Sequence, residues 1–537
     1  MESHACAAIA GVATHIVYFN RADCHLHGSK YLMLFIIALL SNTVLIAHTK
    51  DESFRRAAAV VSPFYATWLA GVYASLLIYR AFLNPRNKFP GPFSTRISLT
   101  SLSLRLKRRD LYRQLDHLHK RYGQFVRIEP TGISVSNPKA VLALHGPGTK
   151  CTKGPRYEQT DPFTSLQSTR DKTEHDHQRR LWSAAFGDKA LRGYEQRIRV
   201  HRQNLMAQLT KQAGRPINIT KWIRWYSFDV MGDLAFGHNF GMVESGVNHW
   251  TIKLLFDSLS YFAYLPSVWL MKLLMDVPGL ARDYWRFIEY CELRLRERMK
   301  RDVKVPDIFT PLLAPFKHRE PTRAELNMLI GDMHLIIIAG SDTTAAALAS
   351  IIYLLCRHPN HIEHLRNELA PFMASASGGE VLNEKIASLD HLNGVINETL
   401  RLFPPTPTEF QRYTPPEGIT IDGTFIPGNT YLQCPMYVLG RSEDIYDQAK
   451  EFIPERWYKY PDMIKEKTAF IPFGLGRYGC IGKPVAMMNL RTTLARLLHD
   501  FDFGFAPGED GTDFTEKAIE HVTFSMGPLN VVFTPRC

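Results

Sequence analysis

The chain has 537 residues, 45% of them hydrophobic, which is ample for one large core or two to three smaller domains. Its formal net charge is +12, but Lys and Arg are dispersed, with no basic tract interleaved with aromatics; this argues against nucleic acid and for a basic surface facing anionic lipid or an acidic protein. Eight cysteines without regular spacing and without a CxxC argue against a disulfide scaffold or a zinc site and favour a reducing compartment.

The first 87 residues differ from the rest. The stretch 57–79, "AAAVVSPFYATWLAGVYASLLIY", is uncharged and long enough to cross a bilayer, which takes about 20 residues. The stretch 31–47, "YLMLFIIALLSNTVLIA", is at the lower limit of a span, and 5–19 is shorter still and carries His15. The opening "MESH" lacks the basic start of a cleaved signal peptide. Arg80, Arg86, Lys88 and Arg96 follow the longest stretch, so the positive-inside tendency puts the remainder in the cytosol. Two prolines in "KFPGPF" (88–93) predict a stiff exit from the membrane. The organisation is thus an anchor region over 1–87 and one body over 88–537.

Further along, Thr322 and Glu325 form a capping box after Pro321, and no proline follows until Pro359. One helix of about 36 residues, roughly 54 Å long, is predicted. Asp332, His334 and Asp342 lie within it. A mid-membrane Asp costs about 2.5–3.5 kcal/mol, so a buried central helix fits better than another span. At its middle, "AGSDTT" (339–344) holds Gly340, which costs a helix interior about 1 kcal/mol relative to Ala. Its lack of a side chain would let a flat ligand approach the backbone. Thr343 and Thr344 can bond back to earlier carbonyls and open a groove for water beside Asp342. A mildly kinked core helix is an equally open reading of this hexapeptide.

In "ETLRLFPP", Glu398 and Arg401 stand three apart on one helix face, a pair that is usually a surface bridge worth about 0.2–0.5 kcal/mol. "ITIDGTFIPGNTYL" predicts a β-hairpin turning at Asp422-Gly423, and "FIPERW" then offers Glu455 and Arg456 in an irregular stretch. Asn218 and Asn397 begin glycosylation sequons, a short pattern that arises often by chance; the second lies inside the helical motif.

"FIPFGLGRYGCIGKPVAMMNLRTTLARLL" (470–498) places Cys480 in a glycine-studded turn just before a helix. Gly474, Gly476, Gly479 and Gly482 permit positive φ and close backbone approach. The helix dipole and free N–H groups favour a thiolate there, as a nucleophile or a metal ligand, and no His or Asp in the stretch supplies a base. A free cysteine in a capping loop is the alternative for the cysteine alone.

"FGLGRYGCIG" (473–482) resembles the haem-binding loop of the cytochrome P450 family, F-x-x-G-x-R-x-C-x-G, matching at Phe473, Gly476, Cys480 and Gly482. "AGSDTT" is similar to that family's oxygen-activation motif, Glu398 and Arg401 to its helix K pair, and "PERW" to its meander, in the family's order and over residues 88–537. The wording "YGCIGKPVA" looks most like fungal members of secondary metabolism. One position departs: two residues before the cysteine, where the family usually has Arg, stands Tyr478. Arg179 in "HDHQRRLW", with His175 where Trp is commoner, and Arg412 in "EFQRY" are the candidates to neutralise the haem propionates.

The resemblance implies a mainly α fold with small β-sheets (α+β), behind N-terminal membrane spans. It implies haem b (iron protoporphyrin IX) ligated through iron by the Cys480 thiolate, with Phe473 shielding the sulfur and Gly476 and Gly482 shaping the loop. It assigns room for O₂ to Gly340, proton relay to Asp342 and Thr343, and a structural ion cluster to Glu398, Arg401 and Arg456. The implied activity is insertion of one oxygen atom from O₂ into a lipophilic small molecule by a membrane-anchored monooxygenase of the endoplasmic reticulum, its body in the cytosol. The chain has neither a dinucleotide fingerprint nor a flavin domain, so electrons would come from NADPH through a separate reductase docking on Lys459, Lys465, Lys467, Arg477 and Lys483. The apolar stretch 254–280 would roof the pocket, or is plain helix core. Rearrangement, dehydration or desaturation on the same fold, and a non-enzymatic haem-binding membrane protein, are the alternatives.

Overall fold

The computed structural model describes residues 2–20, 24–98, 100–103, 109–256, 267–301, 303, 305–374, 376–408 and 411–536. Three helices lead the chain. Glu2–Thr14 runs into a wider turn, His15–Phe19; Gly28–Thr49 and Phe54–Ile78 follow. The last two are long and apolar enough to cross a membrane and contain the predicted stretches 31–47 and 57–79. The 5–19 stretch is the first helix with its wider turn, and it packs closely on the third. A Cβ at Gly11 would stand 2.1 Å from the Trp68 carbonyl oxygen, and one at Gly71 2.2 Å from that of Ala8. Such small-residue crossings let backbones touch where water offers no hydrophobic drive.

The exit from these helices is fastened to the body. Arg86, read above as a membrane-flanking cation, is buried, and its guanidinium donates to Thr430 Oγ1 (2.8 Å), Gly428 O (2.9 Å) and Asn429 O (2.8 Å). The backbone N–H of Arg127 donates to Pro90 O at 2.7 Å. Carbonyls that end a strand and a turn needed a donor, and the segment just after the third helix supplies it. Residues 84–88 therefore link the third helix to the body, Asn87 Nδ2 also donating back to Ala81 O at 3.2 Å.

The body is mainly helical. Its central helix, Arg323–Arg357, spans 35 residues, and the capping box forms as predicted: Thr322 Oγ1 accepts from Glu325 N, and Glu325 accepts from Thr322 N at 2.8 Å. Most of its C-terminal two-thirds is buried, as a core helix requires. Against it pack Ile219–Phe236, Arg282–Lys300, Asp390–Leu402 and Lys483–Asp500. Its mid-helix Asp332 is explained by what it holds: Oδ1 accepts from Leu166 N at 2.9 Å and Oδ2 from Trp182 Nε1 at 3.2 Å. Gly331 lets the same loop come in, since a Cβ there would stand 2.0 Å from Thr164 O.

Small sheets flank the helices. The largest has the order Phe125–Glu129, Gly132–Val135, Tyr431–Gln433, Arg412–Tyr413, with the middle pair parallel (Ile133 opposite Leu432) and the outer pairs antiparallel. The predicted hairpin is present as Ile419–Ile421 paired with Thr424–Ile426, and Asp422 (φ 48°) and Gly423 (φ 75°) make the two positive-φ positions such a turn needs. Asn218 caps Ile219–Phe236 and Asn397 lies within Asp390–Leu402, half-buried, so neither sequon is on a free loop. Of the predicted pocket roof at 254–280, residues 257–266 lie outside the described residues. Val268–Asp276 is a helix packed on the second N-terminal helix, with Gly28 against Trp269.

Candidate functional site

The loop before Lys483–Asp500 is shaped by two glycines, Gly474 and Gly476, each at φ +66°. A Cβ on Gly476 would also meet the His145 carbonyl oxygen at 2.4 Å, so no other residue lets the loop lie there. Gly479 and Gly482 have ordinary negative φ. The Cys480 N–H donates to Phe473 O at 2.7 Å, closing the loop on the residue that sequence placed over the sulfur. Among the described cysteines beyond the N-terminal helices, Cys480 alone is exposed, although protein atoms surround its sulfur. The thiol therefore opens on an internal gap.

The N–H groups of Gly482 and Lys483 and the charges of Arg179 and Lys483 favour its thiolate, but burial is the larger effect and pushes the thiol above its ordinary range. The expected low pKa is thus not a property of the protein part alone. With protein atoms packed around the sulfur, desolvation of the anion exceeds what two N–H dipoles return. A bound metal removes that proton outright.

In the central helix, Ala339 is exposed and Gly340 and Thr343 are half-buried amid buried neighbours, so this face also borders internal space. Thr343 Oγ1 donates back to Ala339 O at 2.6 Å, as predicted, without ending the helix. Asp342 takes another direction. It is buried and accepts from the Thr523 hydroxyl; burial pushes its carboxyl up, while the Arg224 charge and that hydrogen bond oppose the rise. At Gly340, a Cβ would meet Met231 Cε at 2.4 Å and Sδ at 2.6 Å, so the missing side chain also makes room for the end of Met231 from the neighbouring helix.

Around Tyr478 cations outnumber anions: Asp176, paired with Arg477, and Asp171 are near enough to act on it. Arg412 and Lys153 lie over its ring, each 4.7 Å from the centroid, and His175 meets it edge-on at 4.7 Å. Lys153 is buried and donates to Leu166 O (3.0 Å) and Thr169 O (3.1 Å); burial, with Arg412 and Arg179 adding repulsion, lowers its ammonium pKa to about 6. Arg412 donates to Tyr157 Oη (2.9 Å) and Gln411 O (2.6 Å), and Arg179 to Gly479 O (2.7 Å). Among the described residues, no carboxylate is bonded to any of these three cations. The buried Tyr478 hydroxyl and Arg412 Nε have no hydrogen-bond partner.

Behind the loop, Glu398, Arg401 and Arg456 have fully buried side chains. Arg401 grips Glu398 by two bonds (2.9 and 2.6 Å), and Arg456 Nε adds a third at 2.9 Å. Trp457 Nε1 and Ile453 N complete the carboxylate's shell, each at 2.9 Å. The remaining guanidinium N–H groups go to carbonyls, including Glu451 O (2.9 Å) and Asp447 O (2.7 Å). The pair that looked like a surface bridge is the fully satisfied centre of the PERW turn.

The profile of the cytochrome P450 family matches residues 90–533. The chain belongs to the cytochrome P450 family. It is 44% identical to tryprostatin B 6-hydroxylase of Aspergillus fumigatus over 99% of this chain and 96% of that protein. It is 43% identical to cytochrome P450 monooxygenase notG' of Aspergillus versicolor, over 98% and 97% respectively. The fold is similar to the solved cytochrome P450DA heme domain, with TM-score 0.69 at 18% identity over 84% of this chain and 98% of that one. The protein is a P450 monooxygenase, of the predicted fold class, with apolar N-terminal helices compatible with an anchor.

The residues present fit the family's haem. An accessible sulfur in an internal gap suits an iron ligand. The guanidiniums of Arg179 and Arg412, to which no carboxylate is bonded among the described residues, with Lys153, whose ammonium an anion would favour, and two unpartnered polar groups suit a dianion such as the two propionates. Tyr478 in place of Arg is physically reasonable in this P450, because a ring face between two cations attracts both where a third guanidinium would repel them. Lys153, Trp457 and Thr523 were missed by sequence reasoning. Trp457 was legible as part of "PERW"; nothing local marks the other two.

Proposed function

We propose that this P450 hydroxylates a lipophilic small molecule of fungal secondary metabolism, from a membrane anchor in the endoplasmic reticulum with its body in the cytosol. The observation that carries the reading is the pairing of an accessible Cys480 sulfur inside the body with a group of cations at Tyr478 to which no carboxylate is bonded among the described residues. Haem b, bound there through Cys480, supplies the activation of O₂.

The chain's own residues do the rest. Gly482 and Lys483 N–H groups hold the sulfur's charge, and Arg412, Lys153 and Arg179 hold the carboxylates. Thr343, on the face of the central helix that borders the gap, offers a hydroxyl for proton transfer; the buried Asp342 orders that turn through Thr523. A hydroxylase and a monooxygenase among the relatives support oxygen insertion as the net reaction. The N-terminal helices packed against Val268–Asp276 support entry of the substrate from lipid.

Electrons come, in this reading, from NADPH through a separate reductase. All five cations assigned to its docking are exposed, but Lys465 pairs with Asp447 (2.6 Å) and Arg477 with Asp176, leaving Lys459, Lys467 and Lys483 to carry the attraction. Membranes containing the protein and reductase, given NADPH and isotopically labelled O₂, would yield a product bearing one labelled oxygen. A product without that atom would favour rearrangement or dehydration.

A further inference from the structure

Away from Cys480, four ligand-type side chains converge from three elements. His361 and His364 lie on Asn360–Met373, His391 in the first turn of Asp390–Leu402, and Glu455 in the turn Pro454–Trp457. One donor atom from each lies within 4.8 Å of all the others, and among the described residues no second group of this kind occurs. His361 Nδ1 stands 3.2 Å from His391 Nε2 and 3.7 Å from Glu455 Oε1. A tetrahedral zinc ion with bonds of about 2.0–2.2 Å holds its donors about 3.3–3.5 Å apart. These two separations lie just below and just above that range, and side-chain adjustments of about an ångström bring in the rest.

The surroundings match a metal's needs. His391 Nδ1 lies 3.0 Å from Tyr458 Oη, which leaves Nε2 as the inward lone pair and supplies the outer contact that ligating histidines have. Glu368 is engaged elsewhere, accepting from the N–H groups of His391 and Leu392, whereas Glu455 has no Lys or Arg partner among the described residues. His361 and His391 are buried, while His364 is exposed and gives an ion its way in.

We propose that His361, His364, His391 and Glu455 bind one zinc ion. Three imidazoles and one carboxylate suit zinc and exclude magnesium or calcium as preferred guests. Four protein ligands fill the shell, so the ion is structural. It ties Asn360–Met373 to the helix carrying Glu398 and to the turn carrying Arg456, clamping the buried ion cluster from outside. The cysteine spacing argued against a zinc site, but it bears only on cysteine ligands, and these are histidines and a glutamate brought together by tertiary structure. The inference does not depend on the substrate reading above.

The test uses full-length, haem-loaded protein dialysed against chelator and then titrated with zinc chloride alone, magnesium serving as control. Elemental analysis should find about one zinc per haem iron, and zinc should raise the thermal midpoint. His364→Ala, at an exposed position, and Glu455→Gln should each weaken zinc binding at least tenfold and abolish the midpoint shift, with the haem spectrum unchanged. No zinc uptake by the unaltered protein, or equal uptake by it and both variants, would overturn the proposal.

Discussion

Arg179 Nη1 donates to the carbonyl oxygen of Gly479 at 2.7 Å, tying the helix Lys172–Ser183 to the peptide just before Cys480. A charged donor on a carbonyl contributes about 1.5–3 kcal/mol, and the half-buried position of Arg179 puts it at the lower end. Arg179→Ala should lower stability in denaturant titration by about 1.5 kcal/mol and reduce haem per chain, with Arg179→Lys intermediate. Unchanged haem content in both variants would mean that the contact does not hold the loop.

Glu398→Gln leaves Arg401 and Arg456 buried without their counter-charge. Removing one partner of a buried pair costs about 3–5 kcal/mol, a large part of a domain's stability. The expected outcome is protein that accumulates poorly and carries little haem, read as the ratio of haem absorbance to total protein. A stable, fully loaded variant with altered turnover would show instead that the cluster acts on the chemistry.

Lys153 sets a pH dependence of the haem-free protein. Its folded pKa is lowered from 10.5 to about 6, so in that interval the unfolded chain binds a proton that the folded chain does not. Stability of the haem-free form should therefore rise with pH from about 6 towards the ordinary lysine range. Lys153→Met should flatten that rise. Haem should flatten it too, because two carboxylates beside Lys153 favour its charged form. A Lys153→Met protein with an unaltered slope, followed by thermal unfolding across this range, would assign the dependence to other groups.

Thr343 and Asp342, adjacent in sequence, differ in surroundings, and their variants should differ in kind. Thr343→Ala removes a hydroxyl from the face bordering the gap and should raise NADPH consumed per product several-fold with little change in stability. Asp342→Asn alters a buried contact to Thr523 and should chiefly lower the thermal midpoint. Matching product-to-NADPH ratios for Thr343→Ala and the parent protein would remove Thr343 from proton delivery.

Much of this was legible because it is local. The capping box at Thr322, the Asp422-Gly423 turn, the glycines before Cys480 and the Glu398–Arg401 spacing are each written within a few residues. What was not legible depends on distant chain coming together. Lys153 sits in "CTKGPRY" with nothing to mark it as buried beneath Arg412 and Tyr478. The contact between Gly340 and Met231 is invisible in sequence because Met231 arrives from another helix. Arg86 counted as a membrane-flanking charge because the carbonyls of Gly428 and Asn429 that claim it lie far along the sequence. The thiol of Cys480 was expected to ionise readily because the helix start is visible in sequence and the burial of the sulfur is not.

The central claim is that the Cys480 sulfur, as thiolate, is the iron's axial ligand. Purified, haem-loaded protein should be reduced under carbon monoxide and its Soret band compared with that of a Cys480→His variant. The account predicts a strongly red-shifted band for the unaltered protein and its loss in the variant. A folded, haem-loaded, unaltered protein whose band lies where imidazole-ligated haem absorbs would contradict it.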